Sequence, residues 1–460
     1  MTTASIIIPL YGQWPLTEAC LCSLAASTQD VPDLEVLAVD NGAATFPEGG
    51  TACANLGRAL FGARFSYLPQ PENRNFAGAC NIGAKAAHGR WLCFLNNDTT
   101  QEPGWLGRLL DALSSPSDPP DAVSPLLLYP AGTDGPARVQ HLGVVVGPAM
   151  RLAHLYEHFP AGHRVTRRPR RFRILSGAAL TLERERFLAA GAFDEAFRNG
   201  FEDVELCQRL ARIGDSAPRL ACVPEAVVWH LCGQTPGRNT HEEHNRRILA
   251  ERGAHTFFHP DLHHYLDEDG YTLRLTPWLT WQPALPPAAE ARLLRRALPR
   301  QEALAALSVQ AGHPSAPSPE SPVVPAAPRE ARTALAALAD EEPWLPGVWS
   351  RLIAAEPDCE TALALTRRAA LFDLSPAPWL IMRDLARRLG RADVRQQAQD
   401  ALESYLMPRE ERVRRLRQLR PALRARCPEL ADEPNRILAL EPAFQRDEYL
   451  PFEREVRYIS

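Results

Sequence analysis

Asn96-Asn97-Asp98 closes the apolar run Trp91-Leu92-Cys93-Phe94-Leu95, and the chemistry open to this chain starts from that junction. A run this short, with Gly89 before it and Thr99-Thr100 and Pro103-Gly104 after it, reads as a strand buried on both faces of a parallel sheet. Ligands of open α/β sheets gather at the carboxyl ends of strands, so a carboxylate flanked by two amides there is placed to hold a metal ion or a sugar. The same triplet could equally close an Asx turn. A second carboxylate repeats the arrangement, where Leu34-Glu35-Val36-Leu37-Ala38-Val39 ends in Asp40-Asn41-Gly42. Further along, Val227-Val228-Trp229 ends in His230, and Glu202-Asp203 opens a helical pattern. A lone histidine is more often structural, and acids are common at helix openings.

The elements that must carry these residues alternate. Residues 5 to 10 read as a strand, Thr17 as the cap of a helix through about Thr28, and Leu34 to Val39 as a second strand. Phe65 to Leu68 reads as a third strand, Gly78 to His88 as a helix, and Trp91 to Leu95 as the central strand. This predicts a doubly wound, mostly parallel sheet flanked by helices. Two apolar runs between Leu126 and Val146 suggest strands outside the parallel set. Neither common nucleotide motif is present. Pro9-Leu10-Tyr11-Gly12 lacks the Gly-x-Gly-x-x-Gly of dinucleotide folds, and Gly78 to Gly83 is followed by Ala84-Lys85 rather than Lys-Ser/Thr.

With 460 residues the chain has room for two or three domains. A formal net charge of -4 argues against nucleic acid as a partner, and 42 prolines call for a linker. Met1-Thr2-Thr3-Ala4 carries no basic residue and runs straight into Ser5-Ile6-Ile7-Ile8, unlike a secretory leader. No apolar stretch approaches the ~18 residues that span a bilayer. The expectation is a cytoplasmic protein, with membrane contact at most peripheral at the inner face. The 10 cysteines sit singly in apolar surroundings, with only Cys20 and Cys22 close together, and read as reduced core residues.

One ordered set of motifs goes further: the strand bearing Pro9, then Asp40-Asn41-Gly42, Asn73-Arg74-Asn75-Phe76-Ala77-Gly78-Ala79-Cys80-Asn81-Ile82-Gly83, and Phe94 to Asp98. Ser176-Gly177-Ala178, Gly191-Ala192-Phe193-Asp194-Glu195 and Phe201-Glu202-Asp203 follow in order, the last helix ending before the turn Ile213-Gly214-Asp215. The set resembles the family 2 glycosyltransferases of GT-A fold, particularly the bacterial rhamnosyltransferase-like members. The resemblance implies an inverting transfer of a sugar from a nucleotide-diphosphate donor to a hydroxyl of a glycan, lipid-linked or protein acceptor, in cell-surface polysaccharide synthesis. It implies nucleotide-sugar contacts from Pro9, Tyr11, Asp40, Asn41, Asn75, Gly78, Asn81, Asn96 and Asn97, with Asp40 on the base. Asp98 becomes a ligand of Mn2+ or Mg2+ and His230 a further one. Ser176 and Gly177 fall on the acceptor side, and Asp203, with Glu202 as its competitor, becomes the general base. A helix start would hold such a carboxylate by its free backbone amides. The family often continues Asp-Asn-Gly-Ser-x-Asp, whereas here Ala43-Ala44-Thr45 follows, so the nucleobase stays open. An alternative from another class is a glycan-binding or scaffold protein that keeps the fold without turnover.

The expected boundaries are a catalytic domain over 1–288, a helix and Pro-rich linker over 289–330, and an α-helical domain over 331–460. Thr366 to Pro376, Trp379 and Leu389-Gly390-Arg391 resemble one tetratricopeptide helix pair, and a plain helical bundle fits as well. That domain is expected to meet a protein partner or another copy of the chain. The basic run Arg164 to Arg173 reads as a solvated loop, with an anchor for a phosphorylated acceptor or anionic surface as its alternative. The histidines between 241 and 264 read as a surface helix and turn. His241-Glu242-Glu243-His244 is one residue short of the zinc-protease spacing.

Overall fold

A computed structural model of the chain describes residues 2–130, 137–211, 219–233, 238–253, 258–296, 329–345 and 347–440. The chain forms two compact units, Met1–Val146 with Met150–His259, and Gly147–Ala149 with Pro260–Ser460.

The first unit is built on strands β1 (Ala4–Leu10), β2 (Leu34–Asn41), β3 (Phe65–Gln70) and β4 (Trp91–Leu95), separated by helices α1 (Trp14–Ser27), α2 (Pro47–Phe61) and α3 (Asn75–Ala86). These four strands run parallel in the order β3-β2-β1-β4. Leu10 pairs with Asp40 and Ile7 with Phe94, so β1, β2 and β4 all deliver their carboxyl ends to one edge. Next come β5 (Thr99–Gln101), α4 (Trp105–Leu113), β6 (Ala122–Tyr129), β7 (Arg138–His141), β8 (Val144–Val146), β9 (Leu152–His154), β10 (Arg170–Phe172), β11 (Ala179–Glu183) and α5 (Arg184–Ala189). The unit ends with α6 (Glu202–Leu210), β12 (Leu220–His230) and α7 (Glu242–Glu251).

Beyond β4 the sheet continues as β11, β6, β12 and β10, and it is mixed rather than mostly parallel. β11 runs antiparallel to both β4 and β6, while β6 and β12 are parallel to each other. The cause is local. The chain enters β11 at the tip of β4, where Asn96 N–H donates to the Ala178 carbonyl and Ala179 pairs with Leu95, so β11 runs back along β4. The run at 126 is therefore part of the main sheet, through β6, whereas β8 and β9 form a separate two-stranded ribbon.

Helix α1 starts at Trp14, ahead of the expected Thr17 cap, because Pro15 fits a first turn, where it has no N–H to leave without an intrahelical acceptor. Ile6, Ile8, Leu21, Leu24, Val36, Cys93 and Trp105 meet in one core. Each large aliphatic side chain buried there contributes about 1.5–3 kcal/mol. All ten cysteines are free, and Cys20, Cys53, Cys80, Cys93, Cys207, Cys222 and Cys427 are buried.

The second unit contains the hairpin β13 (Thr272–Leu275) and β14 (Trp281–Ala284), followed by helices. Tyr271 Oη donates to Glu342 at 2.7 Å, and Glu433 accepts from Leu275 N–H at 2.8 Å. Polar side chains from the helices thus satisfy the hairpin, and the contact boundary falls at His259/Pro260 rather than near 288. Helix Pro287–Arg296 follows, and residues 297–328, which hold the Pro-rich stretch, lie outside the described residues. Helices Arg329–Glu341, Val348–Ala354, Cys359–Phe372, Ala377–Arg388, Ala392–Glu403, Arg409–Arg426 and Glu433–Leu440 complete the unit. Among the described residues no helix is long and apolar enough to cross a membrane.

Candidate active site

At the carboxyl edge of the sheet, antiparallel pairing of β5 with β12 sets His230 opposite Thr99 and so beside the residue before it, Asp98. His230 Nε2 lies 3.1 Å from Asp98 Oδ1 and 3.3 Å from Asn96 Nδ2. Gln140 fixes the ring. Its Nε2 donates to the His230 carbonyl at 3.2 Å, which leaves Oε1, 2.6 Å away, to accept from His230 Nδ1–H. In a neutral ring Nε2 then carries a lone pair aimed at a carboxylate oxygen. Two acceptors at that separation need a cation or a proton between them. Both side chains are nearly buried, at 4% and 11% exposure. Asn97 is tied to α1, its Nδ2 donating to Thr17 Oγ1 at 3.0 Å.

In the same cleft, the start of α6 supplies the acidic pair. Phe201, the residue before the helix, adopts φ +69°, and Gly200 φ +151°. A non-glycine residue in the left-handed region costs about 1–3 kcal/mol and persists where its surroundings demand it. The turn points both acids into the cleft. Glu202 is 6% exposed and accepts from Gly200 N–H at 2.6 Å. Asp203 Oδ2 accepts from Gly177 N–H at 2.8 Å, and Oδ1 from Val204 N–H at 2.8 Å. A carboxylate accepting two backbone amides keeps lone pairs for a third donor. Behind it Phe193 packs edge-on against Phe76, Phe94 and Phe187.

A cleft of about 230 Å³ joins these groups and is also lined by Pro9, Tyr11, Asn41, Asn97, Ser176 and Gly177. Sharing Leu10 and Gln13 with it is a cavity of about 390 Å³ with Asp40 in its wall. Tyr67 Oη donates to Asp40 Oδ2 at 2.5 Å, and burial pushes the Asp40 carboxyl above its ordinary range against the pull of that hydrogen bond. A Cβ on Gly50 would lie 2.8 Å from Asp40 Oδ2 and collide with the Tyr67 hydroxyl, so the cavity needs glycine there. Tyr11 and Phe46, both well exposed, meet edge-to-face at 5.5 Å beside the two clefts.

Residues 5–141 match the family model "Glycosyl transferase family 2". The chain carries a family 2 glycosyltransferase domain. Its sheet, four parallel strands continued through an antiparallel β11, is of GT-A type. The chain is 35% identical over 248 residues to O-antigen biosynthesis protein RfbC of Myxococcus xanthus, covering 49% of this chain and 18% of that one. It is 27% identical over 276 residues to N-acetylglucosaminyl-diphospho-decaprenol L-rhamnosyltransferase of Mycobacterium tuberculosis, covering 54% of this chain and 84% of that one. It thus resembles the bacterial rhamnosyltransferases, while spanning less than a fifth of the Myxococcus protein's length. Among solved structures, GalNAc-T7 with UDP, GalNAc and Mn2+ matches at a TM-score of 0.39 and 18% identity, covering 50% of this chain and 44% of that one. Staphylococcus aureus TarS 1-349 matches at 0.38 and 13%, covering 88% and 91%.

In the glycosyltransferase domain, several residues of the expected nucleotide-sugar set stand apart from the cleft. Asn81 is buried on α3 and spends its amide on the Phe193 backbone, at 2.9 and 3.0 Å, and on Glu195. It fastens the Gly191–Glu195 turn instead of lining the cleft. Gly78 serves close packing, since a Cβ would lie 2.7 Å from that of Arg74. Asn75, at φ +57°, offers its carbonyl to Asn41 Nδ2, while Asn73 and Phe76 on either side line the cleft. Asn73, Phe76, Gln140, His141, His154 and Asn199 went unread in the sequence. Only the position of Asn73 and Phe76 within the Asn73–Gly83 motif could have signalled any of them.

Two other expectations change. Arg170, inside the basic run, is buried and donates to the carbonyls of Val165 and Arg168, so it holds a turn rather than facing solvent. His263 is buried in the second unit beside Cys427 and Glu429. Cys427 Sγ stands 3.5 Å from both ring nitrogens of His263, a position over the ring face and off either in-plane lone pair, so the contact is packing rather than a formed metal site. The Ile213-Gly214-Asp215 turn lies outside the described residues.

Proposed function

We propose that this domain transfers a sugar from a nucleotide-diphosphate donor to a hydroxyl acceptor with inversion, in bacterial cell-surface glycan synthesis. The observation that carries the reading is the convergence of Asp98, His230 and Asp203 on one cleft. The base would lie in the Asp40 cavity, its N–H donating to the free face of that carboxylate, with Tyr11 beside the cleft mouth. The sugar would lie between Asn96-Asn97 and Ser176-Gly177.

Asp98 and His230 would hold a divalent cation. A carboxylate oxygen with an imidazole nitrogen suits Mn2+ better than Mg2+, and their 3.1 Å approach would accommodate positive charge there. Such an ion would neutralise charge on the departing diphosphate. Asp203 would take the proton of the attacking hydroxyl. Its two backbone donors aim it without exhausting its acceptor capacity, whereas Glu202 is folded back onto Gly200. Inversion follows from a single displacement, in which hydroxyl and leaving group occupy opposite faces of the sugar.

A thermal-shift screen of UDP-, dTDP- and GDP-sugars with and without Mn2+ tests the reading, because a ligand of the native state raises stability with its occupancy. A metal-dependent shift with one nucleotide series, followed by nucleotide release, supports transfer. Binding of free glycans with no response to any nucleotide sugar would favour a glycan-binding protein.

A further inference from the structure

Ser176 and Gly177 line the cleft with Asp203, which accepts from Gly177 N–H, and beside them stands an imidazole pair that the reaction proposed above does not use. His141 ends β7 and is fully buried, while His154 ends β9 and is half-buried; both line the cleft. Their rings stand nearly perpendicular, at 86°, with Nδ1 2.9 Å from Nδ1. Two nitrogens on one tetrahedral ion would be held about 3.3 Å apart, so this is a hydrogen-bond separation and not a metal pair.

The protons can be placed. Ser176 N–H donates to His141 Nε2 at 3.4 Å, and Ser124 Oγ lies 3.3 Å from the same nitrogen. A ring nitrogen that accepts a backbone N–H carries no proton, so the His141 proton sits on Nδ1 and is donated to His154 Nδ1. His154, accepting there, holds its own proton on Nε2. Burial keeps His141 well below the usual imidazole range, and His154 and His230 act in the same direction.

The segment that His141 grips is short and heavily used. Ser176 N–H goes to His141, the next amide, Gly177 N–H, goes to Asp203 at 2.8 Å, and the Ala178 carbonyl receives Asn96 N–H at 2.9 Å. We propose that the His141–His154 pair is a positioning device, whose fixed tautomers hold the Ser176 amide so that Gly177 can aim Asp203 at the acceptor hydroxyl. This inference rests on the reading of Asp203 as the base.

The test uses the full chain with two substitutions and two readouts. Nitrogen-15 NMR of histidine-labelled protein should show the Nδ1–H tautomer at His141 and the Nε2–H tautomer at His154. In nucleotide release from the UDP-, dTDP- or GDP-sugar that gives the largest thermal shift, His141→Phe should lower kcat about 10-fold or more with donor KM nearly unchanged, a split expected when only the transition state loses a contact. His141→Gln should recover most of that loss, because its amide can accept from Ser176 and donate to His154. An Nε2–H tautomer at His141, parental kcat in His141→Phe, or equal loss in both variants would each overturn the proposal. If Asp203→Asn abolishes release while His141→Phe keeps it, this inference fails alone; if Asp203→Asn keeps release, the base assignment fails and takes this inference with it. Should no donor turn over, the tautomers decide the pair.

Discussion

His230 Nε2 faces Asp98 Oδ1 at 3.1 Å, two acceptors brought together by the pairing of β12 with β5 although far apart in the chain. That approach is tolerable with positive charge between them. In Asp98→Asn an amide replaces the charge a hard cation needs, so the enhancement of donor binding by Mn2+ should be lost. Titration calorimetry with the responding nucleotide, with and without Mn2+, checks it. Undiminished metal enhancement would return Asn96-Asn97-Asp98 to an Asx turn.

Asp203→Asn should reduce transfer by about 10²- to 10⁴-fold, the usual worth of general-base assistance, with donor affinity nearly unchanged. Glu202→Gln is the informative companion. Both acids line the cleft, and it is the Gly200 amide that withdraws Glu202. Its variant should lose stability more than rate. Initial rates and melting temperatures for the two variants separate these outcomes, and a reversal would exchange the roles.

Asp40 gives a pH prediction whose sign follows from its raised carboxyl. A carboxyl that binds its proton more tightly when folded adds stability below its folded pKa and loses that contribution as pH rises through it. Asp40→Asn, neutral at every pH, should therefore melt at or above the parent near neutrality. The gap should shrink on acidification through the window above the ordinary carboxylate range. Nucleotide binding should fall in the same variant, and melting curves from pH 4 to 8 with and without nucleotide report both effects.

Gly50→Ala should damage the same cavity sterically, because its methyl would displace the Tyr67 hydroxyl from Asp40. Overpacking of this kind costs about 1–3 kcal/mol, which denaturant titration would detect. Unchanged stability together with unchanged nucleotide affinity would mean that the cavity relaxes freely and does not hold the base.

A fragment ending at His259 should melt cooperatively and bind nucleotide. One ending at 288 would carry a hairpin whose Tyr271 and Leu275 partners, Glu342 and Glu433, have been removed. The longer fragment should aggregate more readily, which light scattering would show. If it is instead the better behaved, the hairpin belongs with the first core.

The sequence by itself determined the strands that carry or lead into Asp40, Asp98 and His230 and the helix that opens with Glu202-Asp203. Their signals are local: an apolar run, a polar stop, a helical period. Alternation also predicted the four parallel strands. Tertiary structure alone decided what those tips meet. Antiparallel pairing set His230 against Asp98, and the entry of β11 at the tip of β4 made the sheet mixed and carried Gly177 to Asp203. Asn81 and Gly78 lie in the same motif as Asn73, and nothing in a one-dimensional pattern separates residues that fasten the Phe193 turn from those that line the cleft. His141 and His154 left no spacing to read, because their pairing arises from two short strands in different sheets and depends on which ring nitrogen a backbone amide reaches.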